Sequence, residues 1–283
     1  MEAYICRTCG VQQAESEKPP SHCAICDDER QYVPSTGQRW VTLTGLRGEG
    51  HRIQVRDLEP GLTGIGADPP VGIGQRALLL QTTAGNVLWD CFGFIDDEGI
   101  AAVRARGGIQ GIAMSHPHFY GVNVEWSRAF GNAPIYIPKA DREWVQRPDP
   151  AITHWEGSVE PLPGVTLIQS GGHFVGSAVL HWAGGADERG ALFTGDTMTV
   201  ASDRRFVSFM RSYPNLIPLS ASEVRRIIGT VEPYRFDRIY GGWWTSVIDR
   251  DGKAAIQKSA ERYIRWIEGT PTLPSPASGA GKS

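Results

Sequence analysis

The chain has 283 residues, 41% of them hydrophobic and 21% charged, and a formal net charge of -3. That composition suits a water-soluble globular protein built on one large domain, and it excludes a fibrous or wholly disordered chain. Arg greatly outnumbers Lys, yet no Lys/Arg block appears, so neither nucleic acid nor an anionic membrane is the expected partner. No apolar stretch is long enough to span a bilayer. The N-terminus carries the acidic Glu2 and no apolar core, so it does not read as a signal peptide. The expected compartment is the cytoplasm.

Four of the five cysteines come first, as Cys6-x2-Cys9 and Cys23-x2-Cys26. Each knuckle places two thiolates on one tight turn, and two knuckles complete a tetrahedron. In a reducing compartment this spacing favours a metal over disulfides. Four soft ligands leave no open position, so the expected site is structural, with zinc as the ion and rubredoxin-like iron as the rival. His22 reads as a surface residue, or one that bonds a ligand from outside, rather than as a fifth ligand. The module, residues 1–36, has little core of its own and would depend on its metal. A role for it in binding a protein partner or a second copy of the chain stays open.

Beyond Pro34 the pattern turns to strands. Arg39 to Leu46 and His51 to Val55 read as a hairpin around Gly48-Glu49-Gly50. Residues 60–74, with five glycines and three prolines, read as a long loop covering a site. Arg76 to Thr82 and Asn86 to Trp89 are expected strands, the second ending at Asp90, and Cys91 a small buried hydrophobe. Asp96 to Arg106 is expected to be helical, and Ile109 to Met114 a buried strand. A helix over Gly121 to Phe130 and a strand over Ala133 to Ile137 follow. The second half repeats this rhythm. Strands at Thr166–Ser170, Ala178–Trp182, Ala191–Thr194 and Phe236–Tyr240 alternate with glycine turns. Ser220 and Glu223 open a helix as a capping box. The last helix carries Ile256, Ala260, Tyr263, Ile264 and Ile267 on one face. Residues 269–283 read as a disordered tail.

Chemistry gathers where apolar strands stop. After Met114 come Ser115-His116-Pro117-His118, and two residues apart in extended chain point to one side. Histidine is the commonest metal ligand. His173 follows Gly171-Gly172, and Asp196 follows Gly195, each again at a strand end, where layered α/β folds build their sites. Three imidazoles and a carboxylate suffice for zinc or iron.

The order His-x-His, Gly-His, Gly-Asp-Thr resembles the metallo-β-lactamase superfamily of metallo-hydrolases across nearly all of residues 39–268. The segment Asn86 to Asp90 resembles that family's early strand with its buried terminal Asp. The fold this implies is α/β: a four-layer αββα sandwich, here over residues 37–268, with the small zinc ribbon added in front. The resemblance implies His116, His118 and His173 as a three-histidine metal site and Asp196 as the carboxylate beside it. Two family positions depart: Tyr120 and Gly121 stand where the usual motif has Asp and His. No histidine follows His181, although the family has one near Gly241 to Trp244. The second metal has thus lost three ligands. The expectation is one Zn2+ or Fe2+ in the sandwich, with none as the fallback.

The activity this implies is hydrolysis of an ester, thioester or lactone-like carbonyl in a small-molecule substrate. In it Asp196 serves as ligand or proton acceptor, Tyr120 as an oxyanion donor and Asp90 as a residue steering a histidine. Trp243 and Trp244 are candidates to line the pocket, and residues 199–219 to shape it. The alternatives are a non-catalytic binding protein with a degenerate site and a mononuclear non-haem iron oxygenase acting on a thiol.

Overall fold

The structure is a computed structural model, and it describes residues 1–269. The expected tail therefore falls, but for Gly269, outside the described residues. Two mixed sheets form the body. The first runs in the spatial order Ile152–Trp155, Ile135–Pro138, Gly111–Ala113, Gly85–Trp89, Ala77–Thr82, Leu62–Asp68, Arg52–Glu59. The second runs Ser158–Leu162, Val165–Gln169, Ala178–Trp182, Ala191–Phe193, Arg238–Tyr240, Val247–Ile248.

The apolar runs explain the layering. In Ala77–Thr82, Leu78 and Leu80 face the layer between the sheets while Ala77 and Leu79 face the outer layer. Side chains alternate along a strand, so a strand apolar on both faces must be covered on both. In the second sheet Ala191 and Phe193 point into the same central layer, and Leu192 points outward. Helices cover the outer faces. Asp97–Ala105 and Asn123–Ala129 flank the first sheet, and Ala221–Val231 and Gly252–Ile267 flank the second. The result is the four-layer αββα sandwich. Among the described residues no helix is long and apolar enough to cross a membrane.

Local signals set the helix starts. Asp96 accepts from the Gly99 N–H at 2.7 Å, and the Ser220 hydroxyl accepts from the Glu223 N–H at 3.2 Å, satisfying donors that an α-helix leaves open. The Glu223 carboxylate pairs with Arg226 instead of closing a reciprocal box.

Two expected elements differ. The hairpin over 39–55 is absent. Trp40–Val41 pairs with the N-terminal strand Glu2–Cys6, and Leu43–Gly48 is a helix capped by Thr42. The Thr42 hydroxyl accepts from the Gly45 N–H at 3.1 Å, which makes a helix start of what reads as strand. Residues 60–74 are not a covering loop either: Leu62–Asp68 is a strand between two neighbours. Its glycines mark a close approach, since a Cβ on Gly64 would lie 2.7 Å from the Trp244 ring. Gly72 makes a second close approach: a Cβ there would sit 2.7 Å from Gly10 N and 2.8 Å from Cys9 C.

The N-terminal segment is packed into the body. Ile5, Val11 and Ile25 belong to the same buried cluster as Phe92, Val122 and Trp126. The backbone N–H of Gln12 donates to the Gly121 carbonyl at 3.1 Å, and that of Ala14 to the Gln146 carbonyl at 3.0 Å.

Candidate metal centres

Two groups of potential ligands stand out among the described residues: Cys6, Cys9, Cys23 and Cys26, and His116, His118, His173 and Asp196. In each the ligand atoms lie within 4.8 Å of one another, and all eight residues are buried.

The cysteine sulfurs approach in crossed pairs, Cys6 to Cys26 at 3.6 Å and Cys9 to Cys23 at 3.8 Å. A tetrahedron of sulfurs about 2.3 Å from a zinc ion has edges of about 3.8 Å. A disulfide would need about 2.05 Å. The Gln38 amide donates to Cys6 Sγ at 3.1 Å, the outer bond a metal-held thiolate accepts. Burial pushes the Cys9 thiol well up, so an anionic set here calls for a cation. The residues fit a closed tetrahedral ion. His22 points away, exposed and bonded to Asp27 at 2.8 Å.

The histidine cluster is assembled by four strand ends. The strand Gly111–Ala113 delivers Ser115 and His116, with His116 still extended at φ -169. Residues Pro117–Phe119 then form a 3-10 turn. His118 is therefore brought round by a turn, and not by two-residue alternation in extended chain. Asp90 ends the neighbouring strand in the left-handed region, φ +62, and its carboxylate accepts from the Ser115 N–H at 2.7 Å. Ser115 Oγ in turn lies 2.8 Å from His116 Nδ1. Asp90 thus acts on His116 through Ser115. Gly195 lets the second sheet close on the first, because a Cβ there would sit 2.5 Å from Ser115 Oγ.

The ring nitrogens can be assigned. His173 Nδ1 lies 3.1 Å from the Met210 carbonyl, which only accepts, so Nδ1 holds the proton and Nε2 presents a lone pair. That Nε2 faces His118 Nδ1 at 3.2 Å. His116 Nε2 and His173 Nε2 lie 3.5 Å and 3.9 Å from one oxygen of Asp196. Ligands about 2.1 Å from a shared ion would stand about 3.4 Å apart. His116 Nε2 and the other Asp196 oxygen are buried without a hydrogen-bond partner. Buried polar atoms are rarely left so. The donor set fits one metal ion held by three imidazoles and a carboxylate.

Charge follows burial. Burial, and then the neighbouring histidines, hold His118 well below its ordinary value, and burial lowers His173 to about 4. For Asp196, burial acts upward but is outweighed by the hydrogen bond and charge of His116, so it stays below its ordinary value. Neutral His118 and His173 beside an anionic carboxylate are in the ligand forms a metal needs. Asp90 is pushed well up by burial.

Tyr120 does not touch this cluster through any hydrogen bond. Its hydroxyl is buried and unpartnered, with burial and the Asp141 and Asp90 carboxylates raising its pKa. Gly121 has φ +49, and a Cβ there would meet the Phe92 backbone at 2.3 Å, so no side chain can stand at that position. Trp243 packs on Phe119, which lies 4.4 Å from the His116 ring, while Trp244 lies on the sheet between Arg56 and Arg76. Residues 199–219 do border the centre, through Met210 and Tyr213; the Tyr213 ring lies 5.8 Å from that of His173.

Three further residues belong to the centre's surroundings. The Phe174 ring stands 5.0 to 6.0 Å from all three imidazoles. Arg30 covers that ring at 4.3 Å and donates from Nε to the His173 carbonyl at 2.7 Å. Tyr213 donates to the Ser208 carbonyl at 3.0 Å. Adjacency to His173 could have pointed to Phe174; nothing in the local sequence points to Arg30 or Tyr213.

Comparison with known proteins agrees with this fold. Residues 72–243 match the sequence model of the metallo-beta-lactamase superfamily. The uncharacterized protein YmaE of Bacillus subtilis (strain 168) is 48% identical over 269 residues, 94% of this chain and 97% of that one. Among solved structures, VMB-1 at pH 5.5 superposes with a TM-score of 0.58 at 13% identity, covering 76% of this chain and 98% of that one. DIM-1 metallo-beta-lactamase exposed to ceftazidime gives 0.55 at 11% identity, over 76% and 98% of the two chains.

Proposed function

Because this chain belongs to the metallo-beta-lactamase superfamily, we propose that it is a metal-dependent hydrolase working with a single ion. His116, His118, His173 and Asp196 would hold that ion. The substrate class we assign is a small ester, thioester or lactone. The observation that carries the reading is the convergence of three imidazole nitrogens and one carboxylate on a shared point, with ring positions fixed from outside by Ser115 and Met210.

A zinc or ferrous ion there would supply Lewis acidity, lowering the pKa of water to about 7 and polarising a carbonyl. The protein's own groups do the rest. Hydrogen bonds at Nδ1 hold His116 and His173 in orientation, so nothing must reorganise during reaction. The second oxygen of Asp196, free of protein partners, is placed to accept the proton as water adds to the carbonyl carbon. Cleavage of the C–O or C–S bond then releases an acid and an alcohol or thiol. The single-ion reading is supported by Tyr120 and Gly121, which offer neither carboxylate nor imidazole.

One observation favours a non-catalytic centre instead: none of the four ligands is more than 4% exposed. A panel of thioesters, lactones and phosphoesters separates the two. Hydrolysis that disappears in His173→Ala and in Asp196→Asn supports the enzyme, and inactivity on the whole panel supports the binding protein. Iron, lost in His116→Ala, would move the assignment to an oxygenase.

A further inference from the structure

Residues 28–31, directly after the second cysteine knuckle, bridge to the histidine centre. The Arg30 guanidinium lies between the Trp144 and Phe174 rings, at 5.7 Å and 4.3 Å from their centroids. Its Nη1 donates to Asp28 at 2.7 Å, and its Nε to the His173 carbonyl at 2.7 Å. Arg30 is only 6% exposed. One loop receives the segment and touches the centre as well. Ser212 donates to the Arg30 carbonyl at 3.1 Å, and the Asn215 amide donates to the Glu29 and Gln31 carbonyls, both at 2.9 Å. The same loop offers the Met210 carbonyl to His173 Nδ1.

We propose that the four-cysteine module is a clamp on the histidine centre, set by its own metal ion, with Arg30 as its positioning residue. The knuckle Cys23–Cys26 is a single short turn, closed by the Cys26 and Asp27 N–H groups on the Cys23 carbonyl at 2.9 Å. Ile25 seats this turn in the body's core, and an ion on the four sulfurs would lock the two knuckles together and with them the path of residues 28–31. Arg30 then holds the backbone of His173 by a charge-assisted bond and presses on Phe174, the ring shared by all three imidazoles. Loss of the cysteine-bound ion frees Arg30, loosens residues 172–176 and opens the centre. The trigger rests on reading both clusters as metal sites; the Arg30 contacts do not.

The test uses the full chain as wild type, Arg30→Ala, Arg30→Lys and Cys23→Ser. It reads amide hydrogen exchange by mass spectrometry and release of the histidine-bound ion to a chelator. Arg30→Ala is expected to keep the cysteine-bound ion yet speed exchange over 172–176 by about tenfold or more, the factor matching one lost bond to a charged group. Strands 191–193 and 238–240 stay protected. Arg30→Lys, which keeps the charge but cannot reach both Asp28 and His173, gives an intermediate rate. Cys23→Ser opens the same segment; should it fail to fold, titrating the wild-type thiols with a mercurial makes the same measurement. Wild-type exchange over 172–176 in Arg30→Ala, or after the cysteine ion is stripped, would overturn the proposal. Exchange is read whether or not the histidines hold metal, so an empty centre would count against the proposed function alone. Where they do hold it, release is expected to quicken in step with exchange, and an unchanged rate overturns the clamp.

Discussion

The Gln12 N–H donates to the Gly121 carbonyl across 3.1 Å, and so the N-terminal module is pinned to the position where the family's motif carries a histidine. Gly121 also lies against the Phe92 backbone. The loss of that ligand and the docking of the module are one local arrangement. A glycine here serves both the left-handed turn and the close approach.

That arrangement makes Gly121→Ala and Gly72→Ala costly. At each, a Cβ would meet backbone, which cannot swing aside as a flexible side chain would. Urea unfolding should show a loss of about 1–3 kcal/mol for either. Gly72→Ala, which crowds Cys9 and Gly10, should also speed release of the cysteine-bound ion. Unchanged midpoints for both variants would show that the two seams are looser than described.

Asp141 sets a pH dependence. It is fully buried, with one oxygen accepting the Gly176 N–H at 2.7 Å and the other unpartnered. Burial raises it from 3.8 to about 7, with the Gly176 N–H and Arg30 acting downward. The folded chain therefore binds this proton more tightly than the unfolded one. Its contribution to stability is greatest below the unfolded value, falls as pH rises from about 4 to 7, and is flat above. The slope is up to about 1.4 kcal/mol per pH unit. Asp141→Asn should remove that slope, so wild-type and variant stabilities, measured from pH 4 to 8, should diverge across the window. Parallel curves would place the proton elsewhere.

Arg76 is 1% exposed, and none of its three guanidinium nitrogens has a partner. Burial pulls it down to about 10, and the Trp244 ring centroid is 5.2 Å away. An unpaired buried charge is expensive, so Arg76→Met should be neutral or stabilising by about 1–4 kcal/mol. A destabilised Arg76→Met variant would mean that the guanidinium has an anion to hold.

Much of the centre was legible in the sequence because its ligands follow the ends of apolar strands, His173 and Asp196 directly after glycines. His116, His118, His173 and Asp196 converge as their order suggests, and so do the four cysteines. The buried strands read correctly wherever both faces are apolar, as in Ala77–Thr82 and Ala178–Trp182. The hairpin over 39–55 fails for a local reason, the Thr42 cap, and the covering loop for a distant one. Gly64 and Gly66 resemble loop glycines locally, but both lie in a strand and yield space to Trp244, distant in sequence. Arg30 escaped notice for the same reason, since its partner lies 143 residues away.

The most direct test of the single-ion account is a metal count on purified protein, by elemental analysis, for wild type, His116→Ala and Cys6→Ser. The account predicts two ions per wild-type chain: one lost in His116→Ala with the cysteine-bound ion retained, and the cysteine-bound one lost in Cys6→Ser. Three ions in the wild type, or a count that His116→Ala leaves unchanged, would contradict it.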